Sequence, residues 1–167
     1  FFRHMDATNV DLKAFTERFY HEICGSHLQS VLETLIYLKH ETDVWFELTT
    51  LLIPGENDSQ AELDEMTRWV VETLGSDVPM HFTAFHPDFR MLDKPRTPVA
   101  TLQKARRIAI ANGVKYAYTG NVHDREGGST YCHECGQMLI DRLGYTLGEW
   151  NLTGDGKCNA CGARCAG

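Results

Sequence analysis

The sequence predicts an α/β fold with parallel strand pairing, followed by a small four-cysteine metal ribbon. Three observations lead there. Apolar, β-branched runs alternate with stretches of helical period, the pattern of β/α units. Capping boxes and Gly or Pro breaks punctuate that alternation. Two Cys-x2-Cys pairs lie near the C-terminal end.

The first strand is expected at Thr8–Lys13. A short amphipathic turn carrying Phe15, Phe19 and Ile23 follows and closes at Gly25. Ser26 with Gln29 has the form of a capping box, and Leu28, Val31, Leu32, Leu35, Ile36 and Leu38 recur at helical spacing behind it. Val44–Ile53 is rich in β-branched and apolar residues, as a strand buried on both faces would be. Pro54-Gly55-Glu56-Asn57-Asp58 ends it in a loop. Ser59 with Glu62 forms a second box, opening a helix that turns Leu63, Met66, Val70, Val71 and Leu74 inward up to Gly75. Met80–Phe85 is the third strand, and a polar, proline-punctuated loop runs from His86 to Thr97. Pro98 suits the N1 position of the next helix, which Gly113 ends. Val114–Thr119 is the last strand of the series.

Beyond Asn121 the segment His123–Gly128 links to the cysteines, which divides the chain into an α/β region at 1–122 and a ribbon at 123–167. The pairs are Cys132-His-Glu-Cys135-Gly136 and Cys158-Asn-Ala-Cys161-Gly162. Each Cys-x2-Cys turn brings two thiolates to one ion, and two turns complete a tetrahedral S4 shell. The glycine after each pair supplies the positive φ that such a knuckle needs. The stretch 136–157 suits a hairpin between the knuckles. A structural Zn2+ is the expected occupant; rubredoxin-like iron accepts the same four sulfurs. His133 lies inside the first knuckle but is not needed as a ligand, and Cys24 and Cys165 fall outside the spacing.

Composition sets the bounds. The chain has 167 residues and a formal net charge of −7, with no basic run, which argues against a nucleic-acid binder. No apolar stretch approaches the ~20 residues of a membrane helix, and no signal-peptide core is seen, so a cytoplasmic setting is expected. Cysteines in metal spacing fit a reducing compartment better than a disulfide framework. The opening Phe1-Phe2-Arg3-His4 close to a strand, and only three β/α units, suggest part of a larger fold. The exposed parallel edge is then expected to favour self-association.

In parallel β/α folds chemistry gathers at the C-terminal ends of strands. Here those positions hold Asp11 and Lys13, then Thr49 and Thr50, then His86 and Asp88. An acid, a base and a histidine on neighbouring strands suit a polar ligand. The plain structural alternatives are an Asp11–Lys13 ion pair and a His86 that only caps its strand. The other histidines, His81 among them, show no ligand spacing and are expected at the surface or in packing.

Asp-Ala-Thr-Asn-Val-Asp-Leu-Lys-Ala-Phe (6–15), Glu-Leu-Thr-Thr-Leu-Leu-Ile-Pro-Gly-Glu-Asn-Asp (47–58), Ala-Phe-His-Pro-Asp-Phe (84–89), Tyr118–Val122 and Thr130-Tyr131-Cys132 occur in this order and spacing. Together they resemble the C-terminal part of the AmmeMemoRadiSam-system radical SAM enzymes, relatives of the pyruvate formate-lyase activating enzymes. The resemblance covers nearly the whole chain. It implies a partial (β/α)6 barrel holding a [4Fe–4S] cluster and S-adenosylmethionine (SAM), whose reductive cleavage yields a 5′-deoxyadenosyl radical. It also implies a protein substrate or companion proteins of the same gene system. By position this chain supplies barrel strands four to six. Asp11 and Lys13 then lie near the SAM carboxylate, Leu51 is an adenine-side wall, and His86 contacts SAM from the last of these strands. Thr49 stands where the activating enzymes have an arginine. The Cys-x3-Cys-x2-Cys loop that ligates the cluster does not occur in these residues, so this stretch alone is expected to be inactive. Two other readings fit the ribbon: a non-enzymatic interaction module, and a rubredoxin-like electron carrier.

Overall fold

Four of the expected strands pair as one parallel sheet. The computed structural model of the chain describes residues 2–166; Phe1 and Gly167, at the outer limits of the two expected regions, lie outside the described residues. Strands β1 (Ala7–Asp11), β2 (Trp45–Leu52), β3 (Met80–Ala84) and β4 (Ala117–Gly120) stand in the order β1-β2-β3-β4. Their register aligns Asp11 with Thr49, Thr49 with His81, and His81 with Tyr118. A one-turn helix α1 (Glu17–Phe19) and a π-turn (Tyr20–Cys24) lead from β1 to helix α2 (Leu28–Glu41). Helix α3 (Gln60–Trp69), extended by a π-turn to Leu74, joins β2 to β3, and helix α4 (Val99–Ala111) joins β3 to β4.

The helices cover one face of the sheet. Along β2, Phe46, Leu48, Thr50 and Leu52 are buried, while Trp45, Glu47, Thr49 and Leu51 between them stay half-exposed. β3 repeats this alternation, with Met80, Phe82 and Ala84 turned into the same core as Leu35, Leu38, Leu63, Met66, Leu102, Ala105 and Ala109. The expectation that β2 is buried on both faces is therefore corrected: one face packs on helices, and the other carries Asn9, Asp11, Glu47, Thr49, His81, Thr83 and Tyr118. This odd-numbered set on β2 and β3 follows from the period of two along a strand.

Two helix starts also differ from expectation. Ser26 does not cap α2. His27 holds the cap position, and the carboxylate of Glu17, arriving from α1, accepts the Leu28 N–H at 2.9 Å and bonds His27 Nδ1 at 2.6 Å. A neighbouring turn supplies the acceptor that the local serine was expected to give. Pro98 is the N-cap of α4 rather than its first helical residue. At α3 the box is half formed. Ser59 Oγ accepts the Glu62 N–H at 3.2 Å, but the Glu62 carboxylate turns away and accepts the Phe15 N–H at 2.8 Å. Burial pushes that carboxyl above its usual range, with the Phe15 N–H only partly opposing it.

Glu62 is one of four side chains that fasten the chain where it leaves β1. Thr50 Oγ1 donates to the Leu12 carbonyl at 2.8 Å, and the Tyr20 hydroxyl accepts the Lys13 N–H at 3.0 Å. Asn57 Nδ2 donates to the Lys13 carbonyl at 2.6 Å and to the Leu51 carbonyl at 2.9 Å, while its Oδ1 accepts the Ile53 N–H at 2.7 Å. No ladder reaches these groups, so buried side chains satisfy them. The result is a rigid mouth at the C-terminal ends of β1 and β2.

The second sheet is antiparallel and three-stranded: β5 (Thr130–Tyr131), β6 (Met138–Leu143) and β7 (Thr146–Trp150). A one-turn helix α5 (Arg125–Gly128) joins it to β4. Asp124 caps α5, accepting the Gly127 N–H at 3.1 Å and the Thr119 hydroxyl at 3.1 Å. A Cβ at Gly127 would stand 2.1 Å from Thr119 Oγ1, so only glycine fits there. Arg125 then grips the buried Asp141 of β6 through Nε and Nη2 at 2.8 and 2.5 Å. The Tyr118 hydroxyl meets Thr130 Oγ1 at 3.0 Å, and the Tyr116 hydroxyl accepts the Ala166 N–H at 3.0 Å. Thus the ribbon is fastened to the sheet at both its ends. Among the described residues no helix is long and apolar enough to cross a membrane.

Candidate metal centre and ligand cavity

The two cysteine pairs fold as matching turns. Cys132 N–H donates to the Gln137 carbonyl at 2.8 Å, and Cys158 N–H donates to the Ala163 carbonyl at 2.8 Å. Gly136 and Gly162 N–H reach back to the Cys132 and Cys158 carbonyls at 3.0 and 2.9 Å. Both glycines have positive φ, 74° and 79°, where a side chain would strain the turn. The four Sγ atoms lie within 4.8 Å of one another, with Cys132–Cys161 at 3.6 Å and Cys135–Cys158 at 3.7 Å. A tetrahedron with metal–sulfur bonds of ~2.3 Å has edges of about 3.8 Å. A disulfide needs ~2.05 Å, and all four thiols are free.

Electrostatics point the same way. The N–H groups of Cys161 and Ala160 draw the Cys158 thiol down to about 7. Cys161 is pushed up to about 12 even though the Ala163 N–H favours its thiolate, because Cys135, Cys132 and Cys158 crowd it. Four sulfurs this close cannot all ionise unless a cation sits between them. The quartet can therefore bind a metal ion. Among the described residues it is the one group of three or more His, Cys, Asp or Glu with that capacity. His133 is turned aside, edge-on to Tyr116 at 6.3 Å. Cys24 is exposed, and Cys165 packs against the small core formed by Cys132, Leu139, Ile140 and Cys158.

The strand-end residues fall in two places. Asp11 and Lys13 share the mouth and pair with each other at 2.8 Å. Leu51 lies on the open face of β2, half-buried against a cluster that includes Phe19, Ile53 and Phe85. His86 follows β3 and is exposed. The four residues thus stand at or beside the C-terminal end of the sheet, Leu51 giving an apolar wall between charged and polar neighbours.

A cavity of about 1110 Å3 opens between the polar face of the sheet and the ribbon. Its residues were not legible as a site in the sequence. Glu47 Oε2 bonds His81 Nε2 at 2.7 Å, and the His81 ring stacks on Tyr118 at 5.0 Å. The three residues lie on three strands, far apart in the chain, and only the parallel register joins them. His81 is therefore a wall of the cavity and not a plain surface histidine. Arg142 reaches the same space from β6, with Arg96, His123 and Tyr145 around the rim. The His81 hydrogen bond, against some burial, holds the Glu47 carboxyl below its usual value of 4.5. Its contribution to stability is thus present above 4.5 and fades as pH falls through the lowered folded value. Glu47→Gln is expected to lower stability at neutral pH by about 0.5 kcal/mol, as for a half-exposed pair. Urea titrations should show that difference closing at acid pH.

Comparison with known protein families finds no match. The chain is 40% identical over 161 residues to the uncharacterized protein MJ0808 of Methanocaldococcus jannaschii, covering 96% of this chain and 48% of that relative. It spans about half the length of the curated relative it matches. Among solved structures it is similar to a domain of pyruvate-formate lyase-activating enzyme from Bacteroides vulgatus, with a TM-score of 0.60 and 15% identity, covering 70% of this chain and 68% of that one. The fold is activase-like. At that identity the likeness speaks for the fold alone. The activase-like sheet and the metal-binding quartet are two features of one chain, joined through α5.

Proposed function

We propose that this chain is the C-terminal part of a radical SAM enzyme of activase type, carrying a structural zinc site of four cysteines. The observation that carries this reading is the sheet itself. Parallel strands are covered by helices on one face only, the other face is polar and half-open, and the arrangement resembles an activating-enzyme domain. A barrel segment needs that asymmetry, because its inner face lines the ligand space. In this reading the amino and carboxylate groups of SAM pair with Asp11 and Lys13 in place of their mutual bond. Opening an exposed pair of that kind costs only ~0–1 kcal/mol. Leu51 offers a wall to the adenine, and His86 contacts SAM from the end of β3. The [4Fe–4S] cluster, when bound, supplies the electron for SAM cleavage. Its three thiolate ligands have no counterpart among the described residues of this chain.

Zinc fits the ribbon better than iron for a physical reason: the closed S4 shell is structural, and two of its sulfurs, on Cys132 and Cys158, are core residues of the ribbon. A second reading, a ribbon that contacts companion proteins, draws on the exposed Leu143, Leu147 and Trp150 of the β6–β7 hairpin.

The test uses the full-length gene product, reconstituted with iron and sulfide under anaerobic conditions and given SAM and dithionite. Release of 5′-deoxyadenosine is expected, reduced about ten-fold or more in Asp11→Asn and His86→Ala, the scale of one lost charge-assisted contact. A reconstituted protein that yields no 5′-deoxyadenosine would overturn the reading.

A further inference from the structure

We infer that the cavity between the sheet and the ribbon is a binding site for an anionic group, a carboxylate or a phosphate, held by Arg142 and Arg96. Arg142 is half-buried, and its guanidinium donates one hydrogen bond, to the buried Thr130 hydroxyl. Among the described residues it has no carboxylate within ion-pair distance, and neither has Arg96 on the opposite rim. A guanidinium drawn out of water without a counter-ion is costly, and its remaining N–H groups form a fork suited to a two-oxygen acceptor.

The two acids in the same wall do not meet that need. Glu47 is committed to His81 at 2.7 Å. Asp124 is occupied by the Gly127 N–H, the Thr119 hydroxyl and, at 3.3 Å, the Gln103 amide. With both acids engaged, the uncompensated charge in the cavity is positive, although the chain as a whole carries −7. The volume is that of a small-molecule site. Thr130 is a positioning residue. Held by Tyr118 at 3.0 Å, it aims Arg142 from the ribbon across to the sheet. The ribbon thereby acquires a role beyond metal storage: it presents a cation over the open face of the sheet.

The anion site stands on this chain's own residues. That it receives the acid group of the radical's target is a further step, which rests on the proposed function. The experiment separates the two, since it needs neither cluster nor turnover. The metal-loaded chain is titrated calorimetrically with pyrophosphate and, in a parallel arm, with citrate; the arm that saturates tells phosphate from carboxylate. One site per chain is expected, weakened about ten-fold or more in Arg142→Gln, partly restored in Arg142→Lys, weakened in Arg96→Gln, and unchanged in Arg107→Gln, an exposed α4 position outside the cavity. Metal content and circular dichroism report whether Arg142→Gln keeps its fold; if it does not, the exposed Arg96 carries the test. The proposal fails if neither anion saturates, if folded Arg142→Gln and Arg96→Gln bind like the parent, or if SAM displaces the bound anion, which would make the cavity part of the SAM pocket.

Discussion

Replacing Cys135 with Ser is expected to release the metal and unfold the chain beyond about residue 128, leaving the four-stranded sheet and its helices folded. The ribbon's own core is small: Cys132, Leu139, Ile140 and Cys158, with Leu152, Ala163 and Cys165 partly packed around them. Strand β7 is exposed along its whole length. So little buried apolar surface does not offset the chain entropy of ordering the segment. Metal binding to such sites contributes ~10–16 kcal/mol of apparent folding energy, most of which is lost with one thiolate. Cys135 is the sharper choice than Cys132 or Cys158, because it is exposed and its loss removes a ligand without opening a cavity. By contrast, the sheet keeps its core of Leu48, Phe82, Leu63 and Leu102, none of which touches the knuckles. Metal analysis with hydrogen exchange reads both halves of the statement. Stoichiometric metal in the variant would remove the S4 assignment, and loss of protection throughout β1–β4 would make the ribbon part of one cooperative unit with the sheet.

The contrast between ribbon and sheet also explains what could be read in advance. The knuckles are local, each a turn of five residues with its ligands and glycine in fixed spacing, so the sequence displays them directly. The strands and helices were legible for a related reason: an apolar period needs only near neighbours. What escaped was everything set by register. Glu47, His81 and Tyr118 become one array only because β2, β3 and β4 run parallel and in step. Arg142 joins them only because α5 folds the ribbon back over the sheet. Nothing in the spacing of these residues encodes the meeting. Likewise Glu17 displaces Ser26 at the start of α2 because a carboxylate from another turn arrives there. The one usable signal was chemical. Glu47 and His81 are charged or titratable residues inside otherwise apolar strands, at positions that alternate with buried ones. Such residues argue for a strand face that does not pack on a helix, and β2 could have been assigned an open side on that ground.

Asn57→Ala is expected to lower stability by about 3–5 kcal/mol, far more than deletion of one amide at a surface turn. Its side chain is 1% exposed and is used three times, accepting from Ile53 and donating to Lys13 and Leu51. Alanine leaves one N–H and two carbonyls without those partners in a place water does not reach, and each orphaned group costs about 1–3 kcal/mol. Asp is no remedy. It keeps the acceptor for Ile53 but turns carboxylate oxygen toward two carbonyls, so Asn57→Asp should be at least as damaging. The position has a second consequence, at the level of function. The Lys13 carbonyl is one of the groups that set where Asp11 and Lys13 stand at the mouth, and releasing it frees the loop without touching either charged side chain. In the full-length enzyme a folded Asn57→Ala protein should therefore show weakened SAM use. Binding of an anion between Arg142 and Arg96 should be unaffected, since Asn57 does not line that cavity. Urea titration gives the first number and the two ligand assays give the rest. A loss below about 1 kcal/mol would mean that water or a relaxed loop replaces the amide, and the mouth would then not be a rigid element.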